Sequence, residues 1–132
     1  MNNGLDSKIQ VLEDFNNSDF PILSVILSSS EKEGPVASVL ISKLHSMVHQ
    51  NLSKTELKLF RSDLKRIETY LRESYDRRGK RTLVFFSAGK KLWQTLDFEF
   101  YLPPLILISY SPYLGPVNEM LIKKSFLGRV HQ

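Results

Sequence analysis

The sequence predicts a fold of the α/β class (α+β, mixed), in which an antiparallel helix hairpin packs on a mixed sheet of about four strands. Nearly continuous apolar runs, such as Ile22–Leu27 and Leu105–Ile108, are typical of strands that are covered on both faces. Between these runs, apolar residues recur at intervals of three and four, which is the period of an amphipathic helix. The members of this stripe are Leu57, Phe60, Leu64, Ile67 and Leu71. With 132 residues, the chain is expected to form one domain covering 1–132.

The N-terminal half is predicted to contain a short helix, a strand and a second helix. The first helix is marked by Leu5, Ile9 and Leu12, and the second by Val36, Leu40, Leu44 and Met47. A third helix begins at Ser53, because Ser53 and Glu56 have the spacing of a capping box. It is predicted to continue to Gly79, which suits the position after a helix. The tight connection at Asn51–Lys54 makes the second and third helices an antiparallel hairpin.

The C-terminal half is predicted to supply the other strands. An apolar strand, Thr82–Phe86, is followed by a polar turn at Ser87–Lys91. Leu96, Phe98 and Phe100 then alternate with polar residues, which indicates a strand with one wet face. After the buried strand Leu105–Ile108, a last helix is expected to include Met120 and Leu121. If the first two buried strands lie parallel, their crossover should be right-handed.

Positive charge is concentrated in one stretch of the chain. Between Lys54 and Arg81, ten Lys and Arg against five Asp and Glu give a net charge of +5, whereas the whole chain carries +4. Helix C-termini favour cations, but capping accounts for only one or two of the four in Arg77–Arg81. The alternatives are a solvated face and a surface that binds an acidic partner, with nucleic acid first. The residues predicted to hold an RNA phosphate backbone are Lys54, Arg77, Arg78, Lys80, Arg81, Lys90 and Lys91.

Other chemistry has weaker support in the sequence. His45 and His49 have a spacing that could place both on one metal, but no third ligand stands in register, so no metal site is predicted. Ser87–Lys91 resembles the end of a phosphate-binding loop without its first glycine or its hydroxyl residue. The chain has no cysteine, no serine nucleophile motif and no apolar run of the ~20 residues that cross a membrane. We therefore expect a cytoplasmic protein that is not an enzyme and has no cofactor.

Four strings resemble the N-terminal domain of archaeo-eukaryotic class 1 peptide-chain release factors, nearest to the bacterial release-factor-like relatives. They lie in the first strand, the long helix, the next strand with its turn, and the segment that closes the domain. In this chain they are Ile22–Leu27, Asp63–Leu71, Leu83–Gly89 with Leu92 and Trp93, and Pro112–Val117. The resemblance covers about 14–117, which leaves 118–132 as a C-terminal helix or the start of a following domain.

This resemblance implies a domain that binds the ribosome near the decoding end of the A site, with rRNA or tRNA as its partner. The Gly-Gly-Gln loop that releases peptide in full-length members does not occur in this sequence, so hydrolysis is not implied. The helix-hairpin turn Asn51, Leu52, Ser53 and Lys54 stands where eukaryotic members carry Asn-Ile-Lys-Ser, and codon reading is not implied either. The leading prediction is a non-catalytic ribosome- or RNA-binding domain in translation termination or ribosome rescue. The alternative is a protein-interaction module that docks an acidic partner or its own missing catalytic domain.

Overall fold

A computed structural model describes residues 3–29, 36–78 and 80–130, with side chains between 4 and 124 in those ranges. The described residues contain five helices and four strands. In order they are α1 (Asn3–Glu13), β1 (Ile22–Ser28), α2 (Ala37–Asn51), α3 (Lys54–Leu59), α4 (Arg61–Glu73), β2 (Thr82–Ala88), β3 (Leu92–Phe98), β4 (Leu105–Ser109) and α5 (Gly115–Val130). The predicted α+β class, the helix hairpin and the last helix are confirmed.

The four strands form one sheet in the order β3-β2-β1-β4, and its three ladders are all antiparallel. The prediction of a mixed sheet is therefore wrong for the described residues. The right-handed crossover that parallel first and second strands would have required does not occur among them either, because β1 and β2 are antiparallel. The helix hairpin explains the direction of β2. Because α2 leads away from the end of β1 and α4 returns antiparallel to it, β2 begins beside the end of β1, where Ser28 pairs with Thr82.

The core lies on both faces of the sheet, and β1 and β2 are buried along their whole length. One face packs against α2 and α4, and its buried residues include Val25, Phe85 and Ile67. The other face packs against α1 and α5 and includes Phe86 and Val117. The apolar runs predicted to be covered on both faces are thus central strands in the cases of β1 and β2.

The run Leu105–Ile108 behaves differently, because β4 is an edge strand. Only Ile106 is buried in β4, and the other four residues are half-buried. The prediction of a third strand buried on both faces is wrong for this reason. Apolar composition alone does not distinguish a central strand from an edge strand whose faces are covered by neighbouring helices.

The third predicted helix is divided at Phe60, whose backbone leaves the helical region at φ −106 and ψ 17 while its ring is buried. The second part, α4, ends at Glu73, where Ser74 N and Tyr75 N both donate to the carbonyl of Tyr70. The prediction that this helix continues to Gly79 is therefore wrong. Gly79 itself lies outside the described residues. Arg77–Arg81 belongs to the connection between α4 and β2 instead of a helix end.

The capping box of α3 is confirmed. Glu56 N donates to the Ser53 hydroxyl at 3.1 Å, and Ser53 N donates to the Glu56 carboxylate at 2.8 Å. Both bonds satisfy backbone N–H groups that have no partner within the helix. The turn between α2 and α3 is therefore held by its own hydrogen bonds.

We expect Ser53→Ala to lower the free energy of unfolding by about 1 kcal/mol, the usual cost of removing a helix cap. Urea denaturation measures this change, and Ser62→Ala, which removes an exposed serine from α4, is the matched control. RNA binding should remain unchanged. Weaker RNA binding at unchanged stability would show that the Asn51–Lys54 turn contacts RNA directly.

Candidate nucleic-acid interface

The predicted phosphate-binding residues lie at opposite ends of the sheet. Arg77, Arg78, Lys80 and Arg81, here called the loop cluster, precede β2. Lys90 and Lys91, here called the turn lysines, follow the other end of that strand. Since β2 has seven residues, the two groups are separated by roughly 20 Å. They do not form one continuous basic surface.

Ion pairs neutralise part of the loop cluster. Arg78 donates to Asp76 from Nε at 3.1 Å and from Nη2 at 2.9 Å. These hydrogen bonds lower the pKa of the exposed Asp76 carboxyl to about 2, so the pair stays charged at neutral pH. Lys80 Nζ lies 3.0 Å from Asp97 Oδ1 on β3. Arg78 and Lys80 therefore already have carboxylate partners.

The backbone of Arg81 extends the sheet beyond the end of β2. Arg81 N donates to Phe98 O at 2.9 Å, and Arg81 O accepts from Ser29 N at 2.9 Å. Its side chain is half-buried, whereas that of Arg77 is exposed. The loop cluster is thus anchored to the sheet at one end and paired with acids in its middle.

A second basic surface crosses the bend between α3 and α4. Lys54, Lys58, Arg61 and Lys65, here called the basic helix face, are all exposed. Lys54, Lys58 and Arg61 line one shallow groove, and Arg61 and Lys65 line an adjoining groove that shares Leu57 with the first. No ion pair in the described part of the chain involves any of these four side chains.

Nearby carboxylates contact other groups instead of these cations. Because four cations outnumber the three carboxylates nearby, the field of the basic helix face is positive. Glu56 belongs to the capping box. Asp63 is buried beneath the helix. Glu68 accepts from His45 at 2.5 Å and lies 3.7 Å from Arg72. Of the predicted site residues, only Lys54 belongs to this face. The prediction did not include Lys58, Arg61 and Lys65, because the density of positive charge in the sequence is highest at Arg77–Arg81.

The turn lysines lie at the same end of the molecule as the start of α4. Asp63 accepts from Ser87 Oγ at 2.5 Å and from Gly89 N at 2.8 Å, which joins α4 to the turn after β2. Arg66 Nη2 donates to Gly89 O at 2.8 Å, and its guanidinium lies 5.1 Å from the centre of the Trp93 ring. These contacts fix the backbone of the turn just before Lys90 and Lys91. The turn includes Gly89, whose φ is +56.

Asp63 and Arg66 were not predicted as structural anchors of the turn, although a signal for Asp63 exists. Asp63 stands three residues after Phe60 and four before Ile67, so it shares their stripe. An acidic residue on an apolar stripe is expected to be buried with hydrogen-bond partners. Its partners lie 24 and 26 residues away, which no local pattern reveals.

The two turn lysines differ in their surroundings. Lys91 Nζ lies 4.5 Å from the centre of the Phe20 ring, a distance typical of a cation–π contact. Lys90 is exposed. Both line a groove with Phe60 and Asp63 at the start of α4. The turn lysines are therefore neighbours of α4, while the loop cluster lies at its other end.

The described residues offer no clear site for other chemistry. No group of three or more His, Cys, Asp or Glu side chains within them is arranged to hold a metal ion, and His45 is bonded to Glu68. Within the same residues, no helix has the length and apolar character needed to cross a bilayer.

No protein-family model matches the sequence, and no curated protein shows significant similarity to it. The resemblance of the four strings to release factors stays a prediction.

Proposed function

We propose that this chain is a non-catalytic RNA-binding domain that holds the phosphate backbone of ribosomal or transfer RNA. The observation that carries the proposal is the basic helix face, where Lys54, Lys58, Arg61 and Lys65 are exposed and have no ion pair among the described residues. Phosphate contacts of this kind supply most of the affinity of sequence-independent RNA binding. A domain with this partner would act in the cytoplasm.

The arrangement of the four cations suits a chain of phosphates better than a single anion. Lys54 and Lys58 are four residues apart, as are Arg61 and Lys65, so each pair presents neighbouring charges along its helix. The bend at Phe60 joins the two pairs. The two carboxylates in this stretch, Glu56 and Asp63, bind Ser53 N and Ser87 Oγ and not these cations. Arg61 adds a planar fork that can contact phosphate through two hydrogen bonds.

The proposal agrees with the function that the predicted resemblance to release factors implies, but it assigns the main RNA contact to the basic helix face instead of the loop cluster. Lys54 closes the helix-hairpin turn, which the resemblance places on the ribosome, and the basic helix face continues from it along α3 and α4. The turn lysines lie at the same end of the sheet and would extend the contact. The loop cluster stays a predicted site, but its pairs with Asp76 and Asp97 lower the net charge that it offers to RNA.

Two double variants with the same change in net charge test this proposal. Arg61→Gln with Lys65→Gln removes two charges from the basic helix face, and Arg78→Gln with Lys80→Gln removes two from the loop cluster. We expect the first variant to weaken binding to every structured RNA alike. It should also reduce the salt slope by roughly 0.7–0.9 for each phosphate that the variant no longer neutralises. The second variant should have the smaller effect, because its cations already have carboxylate partners.

The measurements are cosedimentation with ribosomes and binding to a generic structured RNA across a salt series. Urea denaturation of each variant checks that exposed charges contribute little to stability. A larger decrease in affinity for the loop-cluster variant would move the site to Arg77–Arg81. If the wild type bound neither RNA nor ribosomes at low salt, the proposal would fail, and docking of an acidic protein would become the leading function.

A further inference from the structure

The two edges of the sheet differ sharply in charge. At the β3 edge, Asp97 pairs with Lys80, and Lys8 Nζ donates to the carbonyl of Thr95 at 3.3 Å. At the β4 edge, the 19 residues from Phe100 to Asn118 contain no charged side chain. Charged residues normally protect an exposed edge from pairing with another strand. Of the two edge strands, only β3 has a charged residue of its own.

The outer backbone of β4 has no hydrogen-bond partner among the described residues. Its ladder with β1 runs from Leu105 to Ser109, and no other hydrogen bond from the described residues reaches the backbone of this strand. Because alternate residues of a strand direct their N–H and C=O groups to opposite sides, the ladder with β1 satisfies only one side. The other side presents donors and acceptors that fit an extended strand.

Exposed tyrosines flank this strand on both sides in sequence. Tyr101, Tyr110 and Tyr113 flank β4 in sequence and are 40%, 57% and 39% exposed. Tyr113 N donates to Ser24 Oγ, and Ser24 is the residue of β1 that pairs with Leu107. The backbone of Tyr113 is thus tied to β1 at the residue that pairs with Leu107. Exposed tyrosines are enriched at protein interfaces, because one end of the side chain is apolar and the other forms hydrogen bonds.

We propose that β4 is a homodimer edge, which pairs antiparallel with β4 of a second copy about a two-fold axis at Leu107. In this register Ile106 lies opposite Ile108 of the second copy, and Leu105 lies opposite Ser109. The edge is therefore complementary to itself. Residues 100–118 add no charge to this edge, and Glu119 and Lys123, which line a groove with Leu105, carry opposite signs. Two chains, each with a net charge of +4, can therefore approach here with little local repulsion.

Prolines limit the length of this pairing. Pro103 and Pro104 precede β4, and Pro112 follows it, and none of them can donate a backbone hydrogen bond to a new ladder. The pairing therefore ends after Leu105–Ser109. It closes as a dimer because the two-fold contact uses the β4 edge of both copies. The three tyrosines of each copy add apolar area toward the ~1,200 Å² that a specific interface buries.

Sedimentation velocity of the wild type from micromolar to near-millimolar concentration tests the dimer. We expect a monomer–dimer equilibrium that Leu107→Lys weakens by about tenfold or more, because it places two like charges opposite each other. Leu107 is half-buried and belongs to neither group of core residues, so the variant should fold. Thr95→Lys adds the same charge to the β3 edge and should leave the dimer intact.

Hydrogen exchange provides an independent measurement on the wild type. Amides of β4 that face outward should become protected as the concentration rises, and amides of β3 should not. A monomer at every concentration would overturn the proposal. It would also be overturned if the dimer survived Leu107→Lys, if Thr95→Lys dissociated it, or if β4 proved to pair only with a strand of another protein.

Discussion

We expect Ile67→Ala to lower the free energy of unfolding by about 2–5 kcal/mol, the range for truncating a fully buried aliphatic side chain. Ile67 is inaccessible to solvent and lies on α4, in the core layer between the helix hairpin and the sheet. Its truncation leaves a cavity beside residues of the central strands, which cannot collapse without moving their ladders. Chemical denaturation with an unchanged m-value measures the destabilisation.

Leu64→Ala is the matched comparison on the same helix. The sequence predicts both residues to be buried, but Leu64 is only half-buried in the structure, so the prediction holds for Ile67 alone. We therefore expect Leu64→Ala to cost clearly less than Ile67→Ala, since less apolar area is returned to water. An equal or greater destabilisation at Leu64 would show that α4 turns a different face to the sheet.

The second large effect is expected at Asp63. Asp63→Ala should lower the free energy of unfolding by about 2–4 kcal/mol, because it leaves the Ser87 hydroxyl and the Gly89 N–H without their acceptor. Ser87 is fully buried, so water cannot easily replace the missing carboxylate. The same change should speed hydrogen exchange at Gly89 and loosen the turn that carries Lys90 and Lys91.

Two controls separate this bond from general effects of removing a charge. Glu73→Ala removes an exposed acid from the same helix and should change stability by no more than about 0.5 kcal/mol. A double-mutant cycle of Asp63→Ala and Ser87→Ala should show coupling, because the two side chains share a hydrogen bond. Additive effects would mean that the bond to Ser87 contributes nothing measurable, and that Asp63 stabilises the fold through its bond to Gly89 N or its packing.

The α+β class and most elements could be predicted from the sequence because their signals are local. The capping box at Ser53 and Glu56 needs only four consecutive residues, and the structure shows both of its bonds. The apolar runs of β1 and β2 report burial on both faces directly. The break at Phe60 had no such signal, because the apolar stripe continues through it while the backbone turns.

Local patterns in the amino-acid sequence establish where the chain is apolar, where helices begin and that positive charge gathers between Lys54 and Arg81. Which of those charges have carboxylate partners depends on the folded arrangement. Lys80 is paired with Asp97, a residue of another strand, whereas Arg61 and Lys65 have no ion pair in the described part of the chain. The difference is one of range, because helical and strand periods report neighbours within a few residues. The direction of the strands, the edge position of β4 and the pairing of charges depend on residues that the fold brings together from distant parts of the chain.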